Sequence, residues 1–182
     1  MNWKRTTLAV AGGAVAALTV IMTVSGAGNI HVSGEAVFDA EGECTEIPSV
    51  FTMQITGDLV GCWYTHEFEV VQNTPSGVYM ERGTERFIGC LADGATCGTF
   101  DTTYKFTAKY NADGSQKNGR CQHPITFGTG DFAGIKGRID FKDDVDAGIA
   151  NYRGYFSLPN AAPLLVTDGY LEARGSAGSG CK

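Results

Sequence analysis

Much of what marks a familiar enzyme is missing from this chain. It contains no Gly-Lys-Ser or Gly-Lys-Thr, so it has no phosphate-binding P-loop. The nearest approach to a dinucleotide fingerprint is Gly128-Thr129-Gly130-Asp131-Phe132-Ala133-Gly134. It misses the third glycine by one place and leads into an alternating strand rather than a helix. Gly-x-Ser-x-Gly, which would set a serine on a nucleophile elbow, does not occur. Cys-x-x-Cys is absent too, and the pairs Cys62/His66 and Cys121/His123 match no recurring structural zinc spacing. The acidic turn holding Asp140, Asp143, Asp144 and Asp146 lacks the twelve-residue calcium-loop pattern. No metal or other cofactor is therefore expected. Basic charge is scarce as well, with fourteen Lys and Arg against twenty Asp and Glu, a formal charge of −6. With no basic patch evident, nucleic-acid partners and an anionic membrane surface are both disfavoured.

What is present begins with an export signal. Lys4 and Arg5 precede an uncharged apolar stretch over 8–24, and Ser25-Gly26-Ala27 offers the small residues of a cleavage site. A signal peptide over 1–27 is the expectation, with a secreted, extracellular product and no membrane contact after cleavage. The alternative is an uncleaved anchor, for which seventeen apolar residues are short. Residues 28–182 suit one domain with a substantial core. Within it, 28–49 reads as an N-terminal extension and 50–182 as a β-barrel domain.

All six cysteines (Cys44, Cys62, Cys90, Cys97, Cys121 and Cys181) lie in the exported part, which suggests up to three disulfides. Cys90 and Cys97 flank Leu-Ala-Asp-Gly-Ala-Thr, whose Asp-Gly marks a turn, so these two face each other across a hairpin. Cys44, Cys62, Cys121 and Cys181 remain in unassigned pairs.

No amphipathic helix follows the signal. Short runs of β-branched and aromatic residues recur instead, separated by Gly, Asn, Asp and Pro. Over 100–110, Phe100, Thr102, Tyr104, Phe106, Ala108 and Tyr110 share one face, while Asp101, Thr103, Lys105, Thr107 and Lys109 share the other. That is the pattern of a strand buried on one side. The segment 134–142 repeats it, and 51–56, 58–64, 67–72, 77–82, 84–91, 149–158 and 164–173 read as further strands. The turns between them are too short for helical crossovers, so the strands run antiparallel, and their number points to a barrel or sandwich.

The glycine spacing narrows this choice. Gly128, Thr129, Gly130, Phe132, Gly134, Gly137 and Phe141 spell G-T-G-x-F-x-G-x-x-G-x-x-x-F. Gly83-Thr84-Glu85-Arg86-Phe87-Ile88-Gly89 followed by Gly98-Thr99-Phe100 forms a second such segment. Together they resemble the allene oxide cyclase-like barrel superfamily, which includes plant allene oxide cyclases, dirigent proteins and bacterial families without an assigned function. The resemblance covers roughly residues 50–175 and is closest to the secreted bacterial members. It implies an all-β fold, a single antiparallel, eight-stranded, calycin-like barrel with an apolar lumen. It also implies a homo-oligomer, as is common among the plant members. No catalytic motif of the plant cyclases or dirigent proteins carries over residue by residue.

In a small barrel the lumen is filled by side chains or holds one small ligand. The face of 77–91 that carries Tyr79, Glu81, Glu85, Phe87 and Leu91 mixes aromatics with carboxylates. If Phe87 points inward, so does Glu85, provided no bulge at Gly83 shifts the register. Tyr79, Glu85, Phe87, Tyr104 and Phe106 are accordingly the candidate ligand-lining residues. Glu85 would be either a paired structural carboxylate or an acid. His31, in a loose N-terminal segment, His66, and His123, in an extended linker before Pro124, read as surface or structural. Three functions remain: binding of a small hydrophobic or amphipathic ligand in the lumen, an isomerase or cyclase using Glu85, or an interaction protein with a solid barrel.

Overall fold

The computed structural model describes residues 28–159. The signal peptide over 1–27, the strand expected over 164–173 and Cys181 lie outside the described residues. Within them the chain forms eight strands and no helix: β1 (Ile30–Phe38), β2 (Phe51–Gly57), β3 (Leu59–Asn73), β4 (Val78–Leu91), β5 (Cys97–Tyr110), β6 (Gln116–Gly130), β7 (Lys136–Asp144) and β8 (Ile149–Ser157). Each strand pairs antiparallel with the next, and β1 pairs with β8, so the sheet closes into an eight-stranded barrel without a free edge along most of its height.

Three expectations about segments need correction. The barrel begins at Ile30, not near residue 50: β1 lies inside the segment read as an extension and carries His31 with it. Its inward positions are Val32, Gly34 and Ala36, too small to announce a strand. Gly34 is small because the Tyr152 ring occupies its place; a Cβ there would stand 2.6 Å from the Tyr152 hydroxyl oxygen. Second, 58–64 and 67–72 are one strand, β3, bent by register shifts between Thr65 and Glu67 and between Val70 and Gln72. Likewise 77–82 and 84–91 are one strand, β4, running through Gly83 with its parity intact. Third, the linker assigned to His123 is the middle of β6.

Strand parity sorts the side chains. Interior positions carry Leu59 and Trp63 on β3, Phe87 on β4, Phe100 on β5, Ile139 and Phe141 on β7, and Tyr152 and Phe156 on β8, all buried. One end of the barrel is stoppered by the turn 131–135, which drops Phe132 between Phe100 and Phe156, with ring centroids 5.4 and 6.2 Å away. The turn folds back so tightly that the Phe132 carbonyl oxygen stands 2.2 Å from where a Gly128 Cβ would be. Gly130 and Gly134 provide its positive-φ corners, at 62° and 76°. The glycine motif thus builds a stopper, not a cofactor cradle.

Two disulfides lie on the outside. Cys90–Cys97 clamps the β4–β5 hairpin at the stoppered end. Cys44–Cys62 ties the loop after β1 to the outer face of β3, where Tyr64 is fully buried beneath it.

Candidate functional site

Among the described residues nothing closes the opposite end of the barrel. There β3 runs on past Thr65, the last residue that β2 covers, and β4 to β6 extend with it. Around this mouth stand Phe38, Phe51, Phe68 and Val70, which are 59, 45, 52 and 48 % exposed. Phe38 and Phe51 stack on each other at 5.3 Å. A recess of about 280 Å³ opens between them, lined by Ala36, Met53, Ala150, Gln116, Asp143 and Val145 in addition. A separate, broader groove along β3–β5 is lined by Phe68, Glu81 and Tyr104 together with the outer-face residues Glu67, Glu69, Arg82 and Lys105.

The wall facing these apolar residues is polar and aromatic. Tyr79 donates to one oxygen of Glu81 at 2.5 Å, and Tyr104 to the other at 2.9 Å. Burial, together with the Glu81 carboxylate beside it, pushes the Tyr79 phenol up to about 12, and the same causes raise Tyr104 further. Both phenols therefore remain donors. Gly83 permits the arrangement: a Cβ there would lie 2.7 Å from the Tyr104 ring. Phe106 and Tyr110 flank Tyr79 edge-on at 6.2 and 6.0 Å. Across from them, Asp143 accepts a hydrogen bond from the Gln116 side-chain amide. Its carboxyl is held above the usual range by burial, which the Gln116 hydrogen bond partly offsets.

One layer below the mouth is a closed polar centre. Glu85 is buried and accepts from the Trp63 indole at 2.7 Å and the Thr65 hydroxyl at 2.9 Å, and His123 Nε2 stands 2.8 Å from the same carboxylate. His123 Nδ1 faces the Ile139 carbonyl oxygen at 3.2 Å. Because a carbonyl only accepts, the contact with Ile139 matches the tautomer in which Nδ1 is the donor. Tyr104 stacks over His123 at 5.9 Å and separates this pair from the mouth. Cys121, buried and without a disulfide partner among the described residues, sits beside Tyr104, and burial pushes its pKa up. Thr102 Oγ1, opposite Glu85, is the one buried side-chain oxygen without a partner among the described residues.

The five candidate lining residues thus face one lumen but fall into three layers. Tyr79, Tyr104 and Phe106 line the mouth together. Glu85 belongs to the closed polar centre, and Phe87 belongs to the aromatic stopper, 4.8 Å from Phe100 and out of reach of any ligand at the mouth. Sequence reasoning missed His123, Trp63 and Asp143. The alternation of Cys121 and His123 with Gln122 and Pro124 was the available signal for His123. The acidic turn does not gather around an ion: Asp140 pairs with Arg138 on the outer face, Asp143 turns into the lumen, and Asp144 accepts from the Ala147 amide. Among the described residues no cluster of three His, Cys, Asp or Glu is arranged to hold a metal.

The outer face also differs from what the sequence suggests. Lys105, Lys109, Arg120, Arg138, Lys142 and Arg153 share the outside of β5–β8, giving an acidic protein one basic flank that no run of residues announces. No protein-family model matches the chain, and no curated protein matches it.

Proposed function

We propose that the protein is an exported barrel that binds a small amphipathic molecule at its open mouth. The observation that carries this reading is the exposed, stacked pair Phe38 and Phe51 at a recess lined also by Met53, Gln116 and Asp143, with the Tyr79–Glu81–Tyr104 triad on β4 and β5 at the same end of the barrel. Exposed aromatics gathered around a concavity, with a few convergent polar groups, are what a small-ligand site requires. An apolar tail fits against Phe38, Phe51 and Met53, and a polar head reaches Glu81 and Asp143. The recess is at the lower limit of ligand-pocket volumes, which favours a compact ligand. The two disulfides are compatible with an oxidising compartment. The eight-stranded barrel is compatible with the kinship to the allene oxide cyclase-like superfamily that the glycine motifs suggest. Glu85 serves here as a structural group, since both its oxygens are already engaged.

The test is titration with a fluorescent apolar probe, 1-anilinonaphthalene-8-sulfonamide, against the wild type and a Phe38→Ser/Phe51→Ser variant. Saturable binding that the variant loses supports the reading. Equal binding by both, or a wild type that sediments as a dimer and a variant that sediments as a monomer, contradicts it. The latter outcome would make the mouth a self-association surface.

A further inference from the structure

We infer that the ligand of the mouth is a cation, an ammonium or amidinium head on a short apolar tail, an inference that rests on reading the mouth as a binding site. The argument is one of charge sign and ring geometry. Two carboxylates face the mouth, Glu81 on β4 and Asp143 on β7, and both act on Tyr110 and Cys121 between them. Among the described residues no Lys or Arg lines the recess. The Lys and Arg of the neighbouring strands, Arg82 and Lys105 on β4 and β5 and Arg120 and Lys142 on β6 and β7, occupy positions that alternate with the interior ones and project from the outer face. Among the described residues the one basic group inside is His123, and it is committed at both nitrogens, to Ile139 and to Glu85.

An anionic head in the recess would therefore meet Asp143 and Asp144, with no Lys or Arg among the described residues lining it. A positive head meets the reverse. Tyr79 and Tyr104 spend their protons on Glu81 and fix its carboxylate in place. The rings of Tyr79, Phe106 and Tyr110, edge to face within 6.2 Å, present π-faces beside that carboxylate. Aromatic walls combined with a carboxylate are the chemistry that recognises ammonium groups. The apolar side of the recess at Phe38, Phe51 and Met53 then receives the tail.

The experiment is isothermal titration of the secreted protein with four ten-carbon compounds below their micellar concentrations: decylammonium, decyltrimethylammonium, decanoate and decyl maltoside. The cations are expected to bind roughly tenfold or more tighter than decanoate, the difference that one ion pair with a cation–π contact supplies. Glu81→Gln and, separately, Asp143→Asn should weaken the cations severalfold and leave decyl maltoside unchanged. Gln and Asn preserve the hydrogen-bonding partners, and unchanged near-ultraviolet circular dichroism shows that each variant is folded. If decanoate binds as tightly as the cations, the charge inference is overturned while the mouth remains a binding site. Should none of the four bind, the mouth reading falls and the inference with it.

Discussion

At the stoppered end, Phe87, Phe100, Phe132 and Phe156 meet ring to ring beneath the turn 131–135, all buried. At the mouth, Phe38 and Phe51 stack on each other with about half their surface in water. The same residue type serves opposite ends of one lumen in opposite ways. The difference arises from covering: the glycine-built turn folds a residue into the stoppered end, whereas β3 at the mouth runs on beyond its β2 partner and nothing among the described residues folds over it. A buried ring stabilises the fold. An exposed ring in a concavity adds little to stability, and on the proposed reading it meets the ligand.

Substitution separates the two ends most sharply through stability. Phe132→Ala should cost about 3–5 kcal/mol, because the surrounding rings cannot collapse into the space it leaves. Phe51→Ser should cost less than about 1 kcal/mol. Urea denaturation of the two variants measures the contrast, and similar losses would erase the distinction between the ends.

The polar centre that divides them gives the next largest effect. Glu85→Leu alone leaves His123 and the Trp63 indole buried without their partner and should cost about 3–5 kcal/mol. The double variant Glu85→Leu/His123→Phe should recover part of that loss, since no buried charge remains. A double variant no better than the single one would show that the pair itself is not what stabilises this layer. Thermal unfolding of the three proteins in parallel reads it directly.

Removing the hairpin clamp by Cys90→Ser/Cys97→Ser should cost about 2–3 kcal/mol from the short loop it closes. It should leave probe binding at the distant mouth unchanged.

Least disruptive is Asp143→Asn. The folded Asp143 carboxyl titrates above its value of 3.8 in the unfolded chain, so the folded state favours its protonated form. That contribution is fully present below pH 3.8 and is lost as pH rises through the raised value. At pH 7 the Asn variant should therefore be slightly more stable than the wild type, by less than about 1 kcal/mol, and below pH 3.8 the advantage should vanish. A gain that persists at pH 3 would contradict the assignment of Asp143 to the lumen. A stabilising substitution that weakens cation binding would mark Asp143 as a group kept for its ligand.

The class of fold was legible because alternation is a local property. Tyr104, Phe106 and Glu85 reveal their face by counting from Phe100 or Phe87, and no bulge intervenes on β4 or the inner half of β5. Strand β1 was not legible, because its inward positions are small wherever a distant side chain fills the space, as Tyr152 does at Gly34. His123 was obscured by Pro124, which reads as a linker until the β6–β7 pairing is known. The polar centre joins residues of β3, β4 and β6, and its members are recognisable only together. The layering of the lumen was equally hidden: periodicity tells inside from outside, but it does not tell which end the turn 131–135 closes.

The central claim is that ligand meets the mouth and not the stoppered end, and amide chemical-shift mapping with decyltrimethylammonium tests it most directly. Saturating shifts are expected at Ala36, Phe38, Met53, Tyr79, Phe106 and Asp143, with Leu59, Phe87, Phe132 and Leu158 unmoved. Shifts confined to the second group, or spread over the outer face, would contradict the account.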